Sequence, residues 1–453
     1  MKHQFRYYVL ILVLLISAGT FAQTIKIKQQ HQVKKKETLY GIAKVYGITV
    51  VELMNANPEM KIKGYELKKG DYINIPFSND VQVNASTSLS SQKAQTNNVK
   101  RNKSDVVKVG VMLPLHNTNG DGKRMVEYYR GLLMACERLK VDNISVDLYA
   151  WDVSLDANIY QVLKEKNAER CDIIFGPLYT SMVKPLADFC KKNHIKLVIP
   201  FSISGEPARD YEQVFQVYQS DEEMGELTIK RFFDRFAGYH PVLVDCNDAT
   251  SDKGKFTAEL RKAFADRKIN YSLTNLKTSD ADFAKAFSLT QRNVIVLNTA
   301  RSPELNATFA KLNTMFAKGN YVPVSMLGYK EWLMYNHVYQ ELFCKYDAYI
   351  PTNFFYNPVS VDTRWVESNY RKWFNEEMIV ALPHFALTGF DHGCFFIGGF
   401  SKFGKAFHGG KGEMVYRPVQ SPLLFKKEGK GRKNSTFMLV HYKNDKTIEA
   451  ISY

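Results

Sequence analysis

Side chains that could support acid–base or metal chemistry are scattered along this sequence. Asp391 and His392 stand next to each other, but no second histidine or carboxylate cluster lies at a spacing that would complete a metal site or a catalytic pair. A capping carboxylate beside a helical histidine is therefore the favoured interpretation. The other candidate histidines are isolated: His116, His194, His337 and His384. The sequence predicts no catalytic residue, no metal site and no cofactor.

A helix start that follows a predicted strand is better suited to binding an anion than to catalysis. The strand 172–175 leads into a helix that opens at Thr180 and Ser181, whose free backbone N–H groups would suit a carboxylate. Ser202 and Ser204 follow the next strand in the equivalent place, in a run that lacks the glycine of a nucleophile elbow. Each hydroxyl could instead cap a helix or be solvated. We expect a binding protein and no enzyme.

Alternating strands and helices would position these residues. Residues 106–115 form a near-continuous apolar run of the buried-strand type. The predicted strands are 106–115, 145–151, 172–175, 195–199, 214–217, 241–245, 270–274, 294–297 and 322–327. The predicted helices are 123–140, 156–168, 180–193, 221–236, 254–267, 281–289, 303–317 and 362–378, with Trp365, Trp373 and Phe374 on the core side of the last. This alternation predicts α/β units with parallel sheets, and its two cycles of similar length predict two lobes.

Composition places the chain among folded proteins and localises its charge. Of 453 residues, 45% are hydrophobic and 24% charged, which excludes collagen-like, disordered and multi-span membrane classes. The formal charge is +15, yet residues 106–400 carry 34 basic and 35 acidic side chains, so the surplus lies at the two ends. It indicates an acidic surface nearby, and we expect no nucleic-acid partner. The six cysteines favour buried free thiols, with a Cys171–Cys190 pair as the alternative.

The first 22 residues have the order of a secretory signal. Basic residues precede the apolar run 7–16, and small residues end it. This run is about half the length that a bilayer-spanning helix needs, although an uncleaved anchor stays the alternative. Cleavage between Ala22 and Gln23 would release an exported periplasmic protein. No later segment reaches 18 consecutive apolar residues, so the mature chain is expected to have no transmembrane segment.

Residues 31–77 predict a small strand–helix–helix–strand module of the α+β class. Glu37 and Thr38 start a first helix, Gly47 stops it, and a second helix ends before Pro58. The segments 33–40, 42–43, 46–48, 52–53, 57–58, 67–70 and 73–76, with Asn55, together resemble a LysM domain. The resemblance implies binding to N-acetylglucosamine chains of peptidoglycan in a shallow groove. The groove residues would be Glu37, Thr38, Leu39, Tyr40, Asn57, Pro58 and Met60.

Residues 78–105 separate this module from the rest of the chain. They contain no aromatic residue and one leucine, so they bury too little to offset the entropy of ordering. We predict a flexible linker with a root-mean-square reach of about 29 Å.

Three blocks within 106–400 carry a second resemblance: 108–115, 172–177 with 196–202, and 386–391. They resemble the periplasmic-binding-protein type I superfamily, the two-lobed α/β fold of branched-chain amino-acid receptors. The resemblance implies lobe one at about 106–217 and 348–400 and lobe two at about 218–347. Residues 401–453 would be a basic C-terminal extension that adds a hairpin, with strands at 416–424 and 437–442.

In that superfamily the ligand lies between the lobes, at the carboxyl ends of the strands. Hydroxyl groups on two loops hold the carboxylate and amine of an amino acid. The resemblance implies Thr180, Ser181, Ser202 and Ser204 as contacts from lobe one, and Ser220, Asp221, Asn298 and Tyr329 from lobe two. No acidic partner for an amine follows Leu297, which departs from the amino-acid receptors.

Together these features predict a non-enzymatic envelope protein. LysM would hold it on peptidoglycan, while the two-lobed domain recognises a ligand or an envelope protein partner and so regulates wall synthesis. The alternative is a solute-binding receptor that captures an amino acid or small peptide for uptake or sensing. A wall hydrolase would need a catalytic pair that we do not find.

Overall fold

The structure, a computed structural model, describes residues 27–34, 37–46, 53–54, 56–57, 60, 67–76, 106–201, 203–319, 322–413 and 416–453. The chain divides into two compact units, residues 1–98 and 99–453, and each is considered by itself. The predicted signal segment 1–22 and linker 78–105 lie outside the described residues. Within the described ranges, no helix is both long and apolar enough to cross a bilayer.

The N-terminal unit is built on one antiparallel strand pair. Strand β1 (Ile27–Gln32) pairs with β2 (Tyr72–Pro76), and helix α1 (Leu39–Val45) follows β1 in the chain. Residues 53, 54 and 56 are also helical, in the segment predicted as the second helix. The core consists of Val33, Ile42, Ala43, Leu53, Met60, Ile73 and Ile75. A small two-stranded module with helical connections is thus present, as the sequence predicts.

The large unit contains two seven-stranded sheets. Its strands are β3 (Val107–Leu113), β4 (Val146–Asp152), β5 (Ile173–Phe175), β6 (Lys196–Ile199), β7 (Val214–Gln216), β8 (His240–Asp245), β9 (Ser272–Asn275), β10 (Asn293–Leu297), β11 (Val324–Leu327), β12 (Ala348–Thr352), β13 (Phe425–Glu428), β14 (Gly431–Asn434), β15 (Met438–Tyr442) and β16 (Ile448–Ser452). The first sheet has the order β13-β14-β7-β6-β5-β3-β4, and the second β16-β15-β12-β11-β10-β8-β9. Strands β3 to β12 run parallel within each sheet, which confirms the predicted α/β fold with two lobes.

Helices cover these sheets and bury their apolar strands. They are α2 (Gly120–Lys140), α3 (Ile159–Val162), α4 (Val183–Lys192), α5 (Pro207–Asp210), α6 (Asp221–Arg235), α7 (Gly254–Asp266), α8 (Asp280–Lys285), α9 (Ser302–Ala317), α10 (Asn336–Lys345), α11 (Val361–Phe374) and α12 (Phe385–Phe403). The predicted helix 156–168 is much shorter, because the polar residues after Leu163 offer no apolar face to bury. Short 3₁₀ turns lie at Ala168–Arg170, Thr180–Met182, Lys330–Tyr335 and Gly404–Ala406.

The C-terminal segment is shared between the two sheets, which corrects the predicted extension. Strand β14 pairs with β7 in the first sheet, whereas β15 pairs with β12 in the second. Strand β12 itself belongs to the second sheet, so residues 348–352 are part of lobe two and not of lobe one. No strand covers 416–424 among the described residues there. The strand predicted at 437–442 is present as β15, and all five of its residues are buried although the segment is rich in lysine.

The buried face of α11 only partly matches the predicted one: Phe374 is partly buried and packs against the core, whereas Trp365 and Trp373 do not belong to it. Val366 and Tyr370 are 0% and 1% exposed and form the inner face, one helical turn apart. Trp365 and Trp373 are 44% and 42% exposed, so they lie on the outer face rather than in the core. Both stripes are apolar at helical spacing, and only packing decides between them.

All six cysteines are free thiols, and five are buried: Cys171, Cys190, Cys246, Cys344 and Cys394. The prediction of buried free thiols is confirmed for these five, while Cys136 is only partly buried. Burial raises the pKa of the Cys171 thiol to about 12, so it is unreactive at neutral pH.

Helices α2 and α12 approach each other closely because glycines lie at their contact. A Cβ atom at Gly131 would lie 2.0 Å from the carbonyl oxygen of Ala386, and one at Gly389 would lie 2.0 Å from that of Tyr128. At both positions the added Cβ atom would clash with a backbone atom, so rotation of a side chain could not relieve the clash. Helices α2 and α12 form one side of lobe one, and their contact places α12 against the first sheet.

Substitution of Gly131 by alanine should therefore destabilise the large unit by about 2 kcal/mol, since the two helices must separate. Gly254→Ala is the matched control, because a Cβ there meets nothing within 4 Å at the exposed start of α7. Urea unfolding of both variants measures the difference. Equal midpoints for the two variants would contradict the proposed helix contact.

Candidate functional site

A cleft lies where the chain passes between the two lobes. The passages are residues 217–220, 353–360 and 435–437, between β7 and α6, β12 and α11, and β14 and β15. The side-chain nitrogen of Asn353 donates a hydrogen bond to Gln219 Oε1 at 3.0 Å and so links the first two passages. A cavity of about 540 Å³ lies beside them and is lined by residues of both lobes. This is a usual size for a small-molecule or peptide pocket.

Residues directly beyond the carboxyl ends of neighbouring strands form the cavity. Leu178 lies beyond β5, Phe201 beyond β6 and Val217 beyond β7, all in lobe one, while Lys330 and Glu331 lie beyond β11 in lobe two. In parallel sheets these ends meet at one edge, which is where α/β folds bind ligands. The cleft therefore has the position that the sequence predicts for a ligand site.

The wall of this cavity is mainly apolar. Phe201 packs edge-on against Tyr128, with ring centroids 5.1 Å apart, and also contacts Phe385 at 6.0 Å. Other apolar wall residues are Met125, Leu178 and Pro383 of lobe one, Met224 and Met334 of lobe two, and Phe354 of the second passage. Such a wall favours a ligand with an apolar body.

The charged side chains that line the cavity are all engaged in ion pairs. They are two residues of lobe one, Asp121 and Arg124, and two of lobe two, Lys330 and Glu331. The pairs are Arg124–Asp121, Lys330–Asp221 and Lys253–Glu331, the last at 3.0 Å. Within the described part of the chain, the lining therefore offers no unpaired charge to a ligand.

His392 lies at the inner end of the cavity, on α12. Its Nδ1 atom is 2.9 Å from the hydroxyl of Tyr128, and the residue is 1% exposed. Burial lowers the pKa of His392 to about 3, so the imidazole is neutral at physiological pH. No protein partner for its Nε2 atom occurs among the described residues, and the residue lines the cavity.

Asp391 lies in the middle of α12, so it does not cap that helix, and its role is structural. Its carboxylate accepts backbone N–H groups of Val419, Gln420 and Ser421 at 2.8, 2.8 and 2.6 Å. These bonds hold the segment before β13 against α12, and Ser421 of that segment lines the cavity. Asp391 is thus part of the support of the cleft, and the expected helix cap was wrong.

Three of the predicted hydroxyl residues of lobe one, Thr180, Ser181 and Ser204, are not among the residues that line the cavity. Thr180 and Ser181 are exposed, in the turn that precedes α4. The Ser204 N–H group donates to Thr180 Oγ1 at 3.0 Å, so the structure brings these two predicted residues together. Ser202 lies outside the described residues. A contact of these hydroxyls with a ligand stays a prediction.

The four predicted residues of lobe two do not form one site, although Asp221 and Tyr329 line a common pocket. Ser220 Oγ accepts the Glu223 N–H at 3.2 Å and caps α6. Asn298 Oδ1 accepts the Cys246 N–H at 2.8 Å. Tyr329 is 7% exposed, and its hydroxyl donates to the carbonyl of Leu297. Asp221 and Tyr329 line a second, smaller pocket, whereas Ser220 and Asn298 line neither this pocket nor the cavity.

This second pocket measures about 290 Å³ and lies in lobe two. It shares Met224, Lys330 and Glu331 with the interlobe cavity, so the two spaces adjoin. Its floor includes Phe256 and Tyr329, whose rings are 5.8 Å apart. The sequence predicted the position of the interlobe cavity but not its apolar lining, which the apolar residues next to strand ends, such as Phe201, could have indicated; it did not predict the second pocket.

A buried lysine joins the lobes near the passages. The Lys433 amine in β14 lies 2.9 and 3.0 Å from the carboxylate oxygens of Glu206 in lobe one and also pairs with Glu223 of α6 in lobe two. Burial alone would lower the pKa of Lys433, but the Glu223 and Glu206 carboxylates raise it. Lys433 therefore holds its positive charge between the lobes. This contact was not predictable from the sequence, because Lys433 is one lysine among many in its segment.

In the N-terminal unit, the predicted groove residues at the start of α1 are accessible. Thr38 is exposed, and its Oγ1 accepts the Gly41 N–H at 3.1 Å as a helix cap. Glu37 accepts the Lys34 N–H at 2.7 Å and lies 2.8 Å from His31 Nε2; these bonds lower the pKa of Glu37. Leu39 packs partly against the core.

The predicted residues on the other side of the groove are mostly internal. Asn57 is fully buried: its side chain donates to Leu53 O at 2.7 Å and to Asn74 O at 2.8 Å, and accepts the Asn74 N–H at 2.7 Å. Met60 is 5% exposed and belongs to the core. Both side chains therefore stabilise the module, which corrects their assignment as glycan contacts. Pro58 and the side chain of Tyr40 lie outside the described residues.

Comparison with known proteins supports the division of the chain into a small N-terminal module and a large two-lobed unit. A family model described as "LysM domain" matches residues 31–76, so this part of the chain is a LysM domain. A search of curated protein sequences finds no match to the chain.

The large unit resembles solved structures of periplasmic binding proteins. A putative branched-chain amino acid ABC transporter from Rhodospirillum rubrum is 15% identical, with a TM-score of 0.50, and the alignment covers 76% of this chain and 100% of that one. An ABC-type branched-chain amino acid transporter from Rhodopseudomonas palustris is also 15% identical, with a TM-score of 0.47 and coverage of 76% and 95%. At this identity, the first match shows the fold alone: residues 106–453 have the two-lobed periplasmic-binding-protein type I fold.

Proposed function

We propose that this chain is an exported, non-enzymatic binding protein of the cell envelope. LysM attaches it to peptidoglycan, and the two-lobed unit recognises a ligand or partner in its interlobe cleft. The observation that carries this proposal is a LysM domain at residues 31–76 in the same chain as an interlobe cavity of about 540 Å³. The predicted signal sequence and the periplasmic fold of the large unit support export.

The chemistry of the cavity supports binding rather than catalysis. Its charged side chains are held in ion pairs, and burial lowers the pKa of His392 to about 3, so this imidazole is not poised to exchange a proton near neutral pH. Apolar side chains that exclude water, with a few polar groups between them, are typical of recognition sites.

A solute receptor for an amino acid is the second candidate. The Rhodospirillum rubrum protein with the same fold is described as a branched-chain amino acid transporter, and an apolar wall would suit a branched side chain. The ion-paired lining argues against it, because a free amino acid carries two charges that need partners in the site. Uptake would also be slowed by attachment to the wall.

Deletion of residues 31–76 should abolish retention of the protein on purified peptidoglycan sacculi. The full chain is expected in the pellet after sedimentation, and the deleted chain in the supernatant, with the bound fraction reduced about tenfold or more. Leu289→Asp is the control, since Leu289 is 82% exposed in the large unit and should not affect sedimentation. Equal sedimentation of deleted and full chains would show that LysM is not the attachment to the wall.

A further inference from the structure

The recognition space of the large unit extends beyond the volume of one amino acid. The interlobe cavity of about 540 Å³ adjoins the pocket of about 290 Å³ in lobe two through Met224, Lys330 and Glu331. A ligand that fills the first space can therefore continue into the second. This geometry suits an extended molecule with several side chains.

Exposed apolar residues continue the wall outside the cavity on both lobes. In lobe two, Met334 lines the cavity and is 60% exposed, and Val338, one helical turn further, is also 60% exposed. In lobe one, Val380 is 99% exposed and immediately precedes Ala381, which lines the cavity. Exposed apolar groups next to an apolar cavity are typical of surfaces that bind a partner chain.

Three uncharged polar side chains of the cavity are complementary to a peptide bond. Gln219 and Asn353 share one hydrogen bond, which leaves Gln219 Nε2 as a donor and Asn353 Oδ1 as an acceptor without a partner among the described residues. His392 Nε2 adds a further neutral group. A peptide unit offers one carbonyl and one N–H group, which these neutral groups can bind.

Free charge on a ligand would be poorly accommodated. Each ionised group of the lining already has an ion-pair partner, so an ammonium or carboxylate on the ligand would have to compete for that partner or stay unpaired. A charge left unpaired against the apolar wall is unfavourable, because it loses hydration without a compensating partner. A peptide segment whose termini lie outside the cavity avoids this cost.

We propose that the interlobe cleft binds an extended, uncharged peptide segment with apolar side chains, and not a free amino acid. The proposal rests on the proposed function, namely that the cleft is the recognition site of the large unit. The apolar side chains occupy the cavity and its exposed rims, and the amides of Gln219 and Asn353 bind the peptide backbone.

Selection from a phage-displayed library of random dodecapeptides on the full-length protein tests this inference. Enriched peptides are expected to be rich in apolar residues and poor in charge. Made as acetylated and amidated peptides, they should bind the Met334→Asp variant about tenfold more weakly, because a carboxylate then faces the apolar ligand. Leu289→Asp is the matched control: it places the same charge at an exposed apolar position that does not line the cavity, and binding should be unchanged. Met334 is exposed enough that its substitution should not prevent folding.

The other possible outcomes distinguish failure of the peptide inference from failure of the proposed recognition function of the cleft. A library without enrichment, or enriched peptides that ignore Met334→Asp, would overturn the peptide inference. If free leucine or isoleucine raises the melting temperature of the protein and Met334→Asp removes that shift, the cleft is a ligand site for an amino acid, and the peptide inference is wrong. If neither probe responds to the cleft variant, the proposed recognition function of the cleft itself fails.

Discussion

Replacement of Asp391 by asparagine is expected to destabilise the two-lobed unit by about 3 kcal/mol. The carboxylate is fully buried in α12, and both of its oxygens accept backbone N–H groups: one from Val419, the other from Gln420 and Ser421. An amide replaces one of these acceptors with a donor. That donor then faces at least one backbone N–H group, and neither group can find another partner in the core.

Urea unfolding measures this effect. Asp266→Asn is the matched control, because Asp266 is an exposed carboxylate at the end of α7, and its change should stay within about 0.5 kcal/mol. Loss of one or two of these three bonds should also loosen the segment before β13, so its amide hydrogens should exchange faster. Identical unfolding midpoints for the Asp391 and Asp266 variants would show that the buried carboxylate does not hold this segment.

The alternation of strands and helices was predictable because its signal is local. Parallel strands that are covered on both faces are near-continuous apolar runs, and β3, β6 and β10 could be located from these runs alone. The LysM module was predictable for the same reason, since its motifs lie within a single short stretch. The assignment of the C-terminal strands to two different sheets was not predictable, because it depends on pairing with β7 and β12, which are far away in the chain.

The residues that line the candidate site could not be predicted from the local sequence alone. The loops after β5 and β6 were correctly placed next to the cleft, yet Leu178 and Phe201 line the cavity, whereas the predicted Thr180 and Ser204 bond to each other and do not line it. Which residue of a loop points inward depends on the path of the loop and not on its composition. Asp391 and His392 are adjacent in the sequence, but they do not act as a pair. Asp391 bonds to the backbone at 419–421, whereas His392 bonds to Tyr128.

Acidification should destabilise the protein through His392. Burial holds the pKa of this imidazole at about 3 in the folded chain, below the value of about 6.5 expected in the unfolded chain. The unfolded chain therefore takes up a proton first as the pH falls. The contribution of neutral His392 to stability is fully present above pH ~6.5 and is lost on acidification, by about 1.4 kcal/mol for each pH unit until the folded chain is protonated.

The comparison of wild type with His392→Phe isolates this contribution. Burial raises the pKa of Asp391 to about 7, so its contribution has the opposite sign: stability falls as the pH rises from about 4 to about 7. Because both proteins keep Asp391, this opposing slope cancels in the difference between their free energies of unfolding. That difference should change by about 2 kcal/mol between pH 6.5 and 4.5, with wild type losing stability relative to the variant. Phenylalanine also leaves the Tyr128 hydroxyl without its partner, which lowers the variant's stability by a similar amount at every pH. The slope with pH is therefore the decisive quantity, and parallel curves would mean that His392 is protonated in the folded protein as readily as in the unfolded one.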